Sequence, residues 1–319
     1  MALAAGLPSA PHRILVLRAL GLGDLLTGIP ALRALRRRFP RARLTLAAPK
    51  RFHEMIALTH AVDELLPTPG LGPIRQAGAS PCLAVNMHGR GPESIAYLAE
   101  LHPKYLLSHS NSQFPAVDGP PWRSELHEVD RWCALLGSVG IDCKEDDLGI
   151  ERPHGYPDSS GVVVIHPGAA SAARRWPADR FAEVARRLSE DGHEVVITGS
   201  GTEQTLAYQV ATEAGLPESA VRAGTMGLGG LTALINDCKL LICGDTGVGH
   251  LATATGTPSV LLFGPTPPAK WGPRGASRHT ALWVGDRGDP HGATPDAGLL
   301  LITVRRVLEA ARAKLGDKP

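Results

Sequence analysis

Short apolar runs bounded by turn residues alternate along this chain with amphipathic stretches. In the first half, the runs at residues 13–18, 43–48, 62–66, 83–86 and 105–108 read as strands. The stretches at 25–38, 52–59, 93–101 and 125–139 read as helices. After a polar segment rich in Pro and Gly at 142–161 the pattern begins again. Strands are predicted at 162–165, 194–198, 240–243 and 260–263, and helices at 179–189, 202–214, 231–237, 248–255 and 302–314. Residues 286–298 read as a surface loop. Strands alternating with helices predict an α/β fold with parallel doubly wound sheets, whose ligands sit at the carboxyl ends of the strands. The polar segment divides the chain into two domains, residues 1–150 and 151–319.

Composition narrows the classes. The chain has 319 residues, 43% of them hydrophobic, enough for two cores. A net charge of +2, with no basic run interleaved with aromatics, gives no nucleic-acid footprint. The densest basic cluster, Arg33, Arg36, Arg37 and Arg38, closes a predicted helix, where cations suit the dipole. No apolar run is long enough to span a membrane, and the first eleven residues make a poor signal peptide. The five cysteines form no CxxC pair and read as reduced core thiols in a cytoplasmic protein. No His, Cys or Asp set has metal-ligand spacing. An excess of Arg over Lys, with abundant Ala, Gly and Pro, points to a GC-rich genome.

Two turns carry candidate chemistry. The run Leu240-Leu241-Ile242-Cys243 is followed by Gly244 and then Asp245-Thr246-Gly247, which opens a small-residue helix ended by Gly256. Asp and Thr suit an N-cap, and Gly lets amides approach a ligand. A helix N-terminus of this kind is a place for phosphate. In the first half, Gly21-Leu22-Gly23-Asp24 follows the first strand. Leu26 stands where a dinucleotide fingerprint needs its third Gly, and the second strand ends Ala47-Ala48-Pro49-Lys50, without an acid for a ribose. That argues against a nicotinamide enzyme. Asp24 suits a helix cap, and on a tight loop above a sheet it also suits a general base.

The string Asp-Thr-Gly-x-x-His at 245–250, followed by Ala-x-x-Gly-x-Pro and Phe-Gly-Pro-Thr-x-Pro, resembles glycosyltransferase family 9. That is the family of the ADP-heptose:lipopolysaccharide heptosyltransferases. HPGAASAARRWP at 166–177 and RALGLGDLLTGIP at 18–30 are similar to the family's other signatures. The resemblance implies a GT-B architecture, two Rossmann-like domains facing across a cleft, with the last helix packing back across the hinge. It implies an inverting, metal-independent transferase with an ADP-sugar donor and no cofactor. Asp24 is then the catalytic base. Arg174, where the family most often has Lys, with Glu203, Asp245, Thr246, Gly247 and His250, would bind the donor on the second domain. Lys50, Arg51, His88 and Arg90, at the edge of the first sheet, would meet the acceptor. Lys270, Trp271 and Arg274 would border the donor site, while His127 reads as a surface or satisfied histidine on a helix. The implied acceptor is the lipopolysaccharide inner core. A small soluble glycoside, such as an aminoglycoside precursor, is the alternative that a GC-rich source suggests. A nucleotide-sugar epimerase of the same architecture, a transferase with another donor, and a silent nucleotide-binding module are rival readings. The expected state is a monomer that touches the membrane only through a lipid acceptor.

Overall fold

In the computed structural model the apolar runs become two separate parallel sheets. It describes residues 7–75, 79–117, 119–275, 277–285 and 287–317. The chain divides into unit 1, Met1–Leu148, and unit 2, Gly149–Pro319. The signal-peptide reading of the first residues lies outside the described residues as far as residue 6. No described helix is long and apolar enough to cross a membrane.

Unit 1 holds β1 (Arg13–Leu17), β2 (Arg43–Ala48), β3 (Glu64–Pro67), β4 (Leu83–Asn86) and β5 (Tyr105–Leu107) in the order β3-β2-β1-β4-β5. All neighbours pair in parallel, Leu15 opposite Thr45 on one side and Ala84 on the other. The central strands are buried on both faces, so they read as continuous apolar runs rather than alternating ones. The helix expected at 25–38 is two helices, Leu22–Thr27 and Ile29–Arg38. Pro30 has no N–H to continue the first helix, and it sits in the first turn of the second. The Arg cluster is more than a dipole complement. Arg33 and Arg37 both pair with Asp147, and Arg36 pairs with Asp63 and donates to the Ala61 carbonyl. The start of the predicted linker is thereby held on unit 1.

The cysteine reading needs correction. Cys133 and Cys143 form a disulfide with Cα atoms 5.2 Å apart. After the helix Glu128–Gly137 the chain reverses, and the Ile141 amide donates to the Leu136 carbonyl. This return lays Cys143 beside Cys133, a tertiary proximity that spacing alone does not reveal. Cys238 and Cys243 are buried free thiols, and Cys82 is partly exposed. His127 is the N-cap of that helix rather than a residue within it, and its Nδ1 accepts from the Val129 amide at 3.2 Å.

Unit 2 holds β6 (Val163–His166), β7 (Val195–Ile197), β8 (Leu240–Gly244), β9 (Ser259–Phe263) and β10 (His279–Trp283) in the order β10-β9-β8-β6-β7. The edge strand β10 is absent from the sequence reading because its exposed positions break the apolar run. Val163, Ile165, Leu240, Ile242, Val260 and Leu262 meet Phe181, Val184 and Leu188 of the helix Ala178–Glu190 in the core. The last helix, Val304–Leu315, packs against that helix and against β8 and β9. Asp286 lies outside the described residues. The rest of the expected loop ends otherwise than as surface, since Asp296 caps the helix Ala297–Leu300 and Leu299 enters the core.

The two orders differ in a way that matters for ligands. The strand order reverses between β1 and β4 in unit 1, and between β6 and β8 in unit 2. Ligands of open α/β sheets bind beyond the strand ends at such switch points. The segments following β1, β4, β6 and β8 contain Asp24, His88, the His-Pro-Gly string and Asp245.

Alkylation of the denatured, unreduced chain is expected to label three cysteines, and all five after reduction. Intact mass measures this, and five labels before reduction would exclude the bridge.

Candidate active site

In unit 2 the helix Gly247–Thr255 starts directly beyond β8. Thr246 is its N-cap, in extended conformation, and its side chain makes no cap hydrogen bond. The first-turn amides therefore point outward with no side-chain cap over them, at the positive end of the helix dipole. The Asp245 expected to share this capping is instead buried behind the turn, 7% exposed. Burial pushes its carboxyl up to about 6, with Arg174 pulling in the opposite direction.

Arg174 reaches this turn because its loop is nailed down by Trp176. That indole is buried against Phe181, and its Nε1 donates to the Ile302 carbonyl at 3.0 Å. Arg174 Nη1 lies 3.4 Å from the Asp245 carbonyl and 4.0 Å from its carboxylate. Its Nε is buried and has no partner. A buried donor left unmade is costly, so this one is poised for an anionic ligand oxygen. A Cβ on Gly244 would lie 2.8 Å from the Arg174 carbonyl, so only glycine lets the two backbones meet.

Glu203 stands at the end of a single 3-10 turn, Gly201–Glu203. Its Oε2 accepts from the Ser200 amide and hydroxyl, both at 2.8 Å. Burial works to raise this carboxyl, but the two Ser200 hydrogen bonds bring it below its ordinary value. The other oxygen overlies the backbone of Gly168, where an added Cβ would sit 2.1 Å from it. Glu203 is thus a cap with one oxygen spare. Arg175, absent from the sequence reading of the site, donates from Nε to the Ala169 carbonyl at 2.8 Å and adds positive charge near Glu203. His250 stands edge-on to Trp271, ring centroids 5.7 Å apart. Both line a shallow concavity with Asp245, Thr246, Phe263 and Pro273. Unit 2 thus brings Arg174, Asp245, Thr246 and Gly247 together, with His250 on the same helix.

In unit 1 Asp24 lies inside the first turn of the helix Leu22–Thr27 rather than before it. Its Oδ2 accepts from the Gly21 amide at 3.0 Å, and a quarter of its side chain is exposed. Burial raises its carboxyl above the usual range, Arg18 opposes this, and Glu128 adds to it. A partly exposed carboxylate with raised basicity suits proton abstraction. Arg18, wholly buried at the end of β1, has its Nη2 3.8 Å from Asp24 and 3.1 Å from Glu128. The sequence reading missed Arg18 and Glu128, although an arginine closing an apolar strand was the available signal. His88 is half-buried with Nδ1 unpartnered, and burial with the Arg18 charge holds it near 4, so its ring is neutral. Arg51 reaches the Leu20 carbonyl at 3.5 Å, bordering the Asp24 loop. Lys50 and Arg90 are exposed, and the Arg90 carbonyl accepts from Asn111 at 3.0 Å. Among the described residues no group of three or more His, Cys, Asp or Glu is placed to hold a metal ion.

The raised Asp245 carboxyl has a signed consequence. Its cost to the fold is absent below its unfolded value of 3.8, grows as pH rises, and is complete above about 6. Asp245→Asn is expected to stabilise the ligand-free protein at pH 7.5 by about 1–3 kcal/mol, and by almost nothing near pH 4. Urea unfolding at the two pH values measures the difference, and equal effects at both would contradict it.

Comparison with known proteins follows the same lines. The sequence model described as glycosyltransferase family 9 (heptosyltransferase) matches residues 121–291. Lipopolysaccharide heptosyltransferase 2 of Escherichia coli K12 is 26% identical over an alignment covering 95% of this chain and 98% of its own. A glycosyl transferase family 9 structure from Veillonella parvula DSM 2008 superposes with a TM-score of 0.79 at 25% identity, covering 95% of this chain and 97% of its own. The Escherichia coli ADP-heptose heptosyltransferase II structure superposes at 0.76 and 20% identity, covering 95% and 98%, and shares the GT-B fold of two parallel-sheet units. The family match runs over more than half of the sequence and includes both the Arg174 loop and the Asp245 turn, and the chain belongs to glycosyltransferase family 9, as a glycosyltransferase.

Proposed function

We propose that the chain moves a heptose from ADP-heptose to a hydroxyl of a lipopolysaccharide inner-core acceptor, with inversion at the anomeric carbon and without a metal ion. The observation that carries the donor half is the unpartnered Arg174 Nε beside an open helix N-terminus. Charge develops on the diphosphate as the anomeric C–O bond breaks. The amides of Thr246 and Gly247 and the Arg174 guanidinium meet that charge where a metal ion would otherwise be needed, and loss of one such donor costs about 10²–10³ in rate. Arg174 can grip two phosphate oxygens at once, which a Lys at that place could not. Glu203 offers its spare oxygen to a sugar hydroxyl of the nucleotide, and His250 flanks the donor.

Asp24 accepts the proton of the acceptor hydroxyl. The hydroxyl oxygen forms the new bond to the anomeric carbon from the side opposite the departing ADP, hence inversion. Neutral His88, with Lys50, Arg51 and Arg90, lies on the acceptor side. The heptose and the acceptor are supported by the curated relatives over nearly the full chain, which carry the name lipopolysaccharide heptosyltransferase 2. A monomer acting in the cytoplasm, touching the membrane only through its acceptor, completes the reading. Membership of a glycosyltransferase family favours transfer over the epimerase reading, and sugar turnover without an acceptor would favour the epimerase.

Asp24→Asn is expected to lower kcat by at least about 10² while leaving the Kd for ADP within about twofold. Transfer assays and calorimetry read the two separately, and full transfer by this variant would sink the mechanism. Arg174→Ala is expected to weaken ADP binding by about tenfold to a hundredfold, with Arg174→Lys partly restored. The same assays with EDTA should keep the wild-type rate. Heptose transfer to an aminocyclitol glycoside but not to inner-core acceptor would replace the acceptor assignment.

A further inference from the structure

Arg18 is committed through all three guanidinium nitrogens. Its guanidinium is wholly buried at the end of β1 and stacks on the Trp132 ring, 4.9 Å from the centroid. Nε donates to the Asp24 carbonyl and Nη1 to the Met87 carbonyl. Nη2 donates to the Thr27 hydroxyl and to Glu128 Oε1, both at 3.1 Å. The same nitrogen stands 3.8 Å from the Asp24 carboxylate, in charge contact but beyond hydrogen-bond length. Gly28 makes this possible, because a Cβ there would lie 3.0 Å from Arg18 Nε. The guanidinium is therefore divided between two carboxylates, and Glu128 holds the nearer place.

Glu128 is equally fixed. Its Oε1 also accepts from Trp132 Nε1 at 2.8 Å, and its Oε2 accepts from Arg131 Nε at 3.2 Å. Arg131 is tied to the Leu126 carbonyl at 3.1 Å and stacks on Trp122 at 4.0 Å. The charged side chains that act on the Asp24 carboxyl are Arg18, directly after β1, and Glu128, on the helix Glu128–Gly137, while Arg51 borders the same loop at the Leu20 carbonyl. His88 after β4 feels the Arg18 charge, and His109 after β5 feels Arg131 and Glu128; both are neutral near pH 7 because burial holds them at about 4.

From this arrangement we propose that Glu128 is a positioning residue for transfer: by anchoring Arg18 it fixes where the Asp24 carboxylate stands and how strongly the guanidinium pulls on it. The inference rests on Asp24 being the base. Were Glu128 neutral, Arg18 would keep Asp24 as its one carboxylate partner among the described residues, and Asp24 would become a weaker base. Were both charges removed, Asp24 would lose the guanidinium, whose pull on it exceeds the push of Glu128, and become a stronger one. A buried pair can often be replaced jointly with little loss of stability, whereas breaking it on one side is costly.

The test reads Asp24 directly, without substrate. The full chain is labelled with aspartate carrying ¹³C at the carboxyl, and the Asp24 resonance is identified by its loss in Asp24→Asn. Glu128→Gln preserves the shape and the hydrogen-bond acceptor, and is expected to lower the Asp24 titration midpoint by about one pH unit. Arg18→Met combined with Glu128→Gln is expected to raise it, and this variant serves if the single one does not fold. With ADP-heptose as donor, Glu128→Gln is expected to lower kcat about tenfold, with KM for the donor unchanged and the acid limb displaced to lower pH. A midpoint unmoved in both variants overturns the proposal. A midpoint that moves as expected, alongside full transfer by Asp24→Asn, leaves the Arg18–Glu128 coupling standing and overturns only the role of Asp24 as base.

Discussion

Each unit keeps a carboxylate largely out of water beside a single guanidinium, and the surrounding structure is arranged to make that tolerable. In unit 2 the pair is Asp245 with Arg174, 4.0 Å apart. In unit 1 it is Asp24 with Arg18, 3.8 Å apart. Neither contact is close enough for a full salt bridge to cancel the cost of burial, so both carboxyls stay above their ordinary range. A tighter pair would be more stable and less basic in unit 1, and would occupy the guanidinium more fully in unit 2. The looseness leaves Arg174 Nε free for a ligand, and leaves Asp24 able to take a proton.

The fold supplies the positions. Parallel strands buried on both faces carry no chemistry along their length, so polar groups collect where the strands end. The two units use different strand orders, yet each places its carboxylate loop at its own reversal point. Close backbone approach then fixes the second partner. Gly244 lets β8 meet the Arg174 loop, Gly168 makes room for Glu203, and Gly28 makes room for Arg18. Buried Trp176 ties the Arg174 loop to the Ile302 carbonyl, and buried Trp132 ties Glu128 in place within its own helix.

Much of this was legible from residues. The apolar runs marked nine of the ten strands, and the turns at Asp24 and Asp245 stood out because Gly, Asp and Thr follow buried strands there. The roles of the site residues came through resemblance to a family rather than from pattern. The sequence misled where a local rule met a tertiary one. Asp245 looked like a cap and is buried behind the cap. The cluster Arg33, Arg36, Arg37 and Arg38 closes its helix as expected, and what the local rule left out is that Arg33 and Arg37 also clasp Asp147. Cys133 and Cys143 looked like separate thiols and are joined.

The sequence by itself determined the α/β alternation, the division near residue 150, the turns at Asp24 and Asp245 that follow buried strands, and the family. Those depend on local periodicity and on contiguous strings, which a linear reading contains. Only the tertiary structure decided that Glu128, 110 residues from Arg18, shares its guanidinium, that Arg174 sits against Asp245 across 71 residues, and that the bridge forms. Electrostatic partnership falls off over a few ångströms of space. It is indifferent to separation along the chain, and so it becomes visible only once the chain is folded.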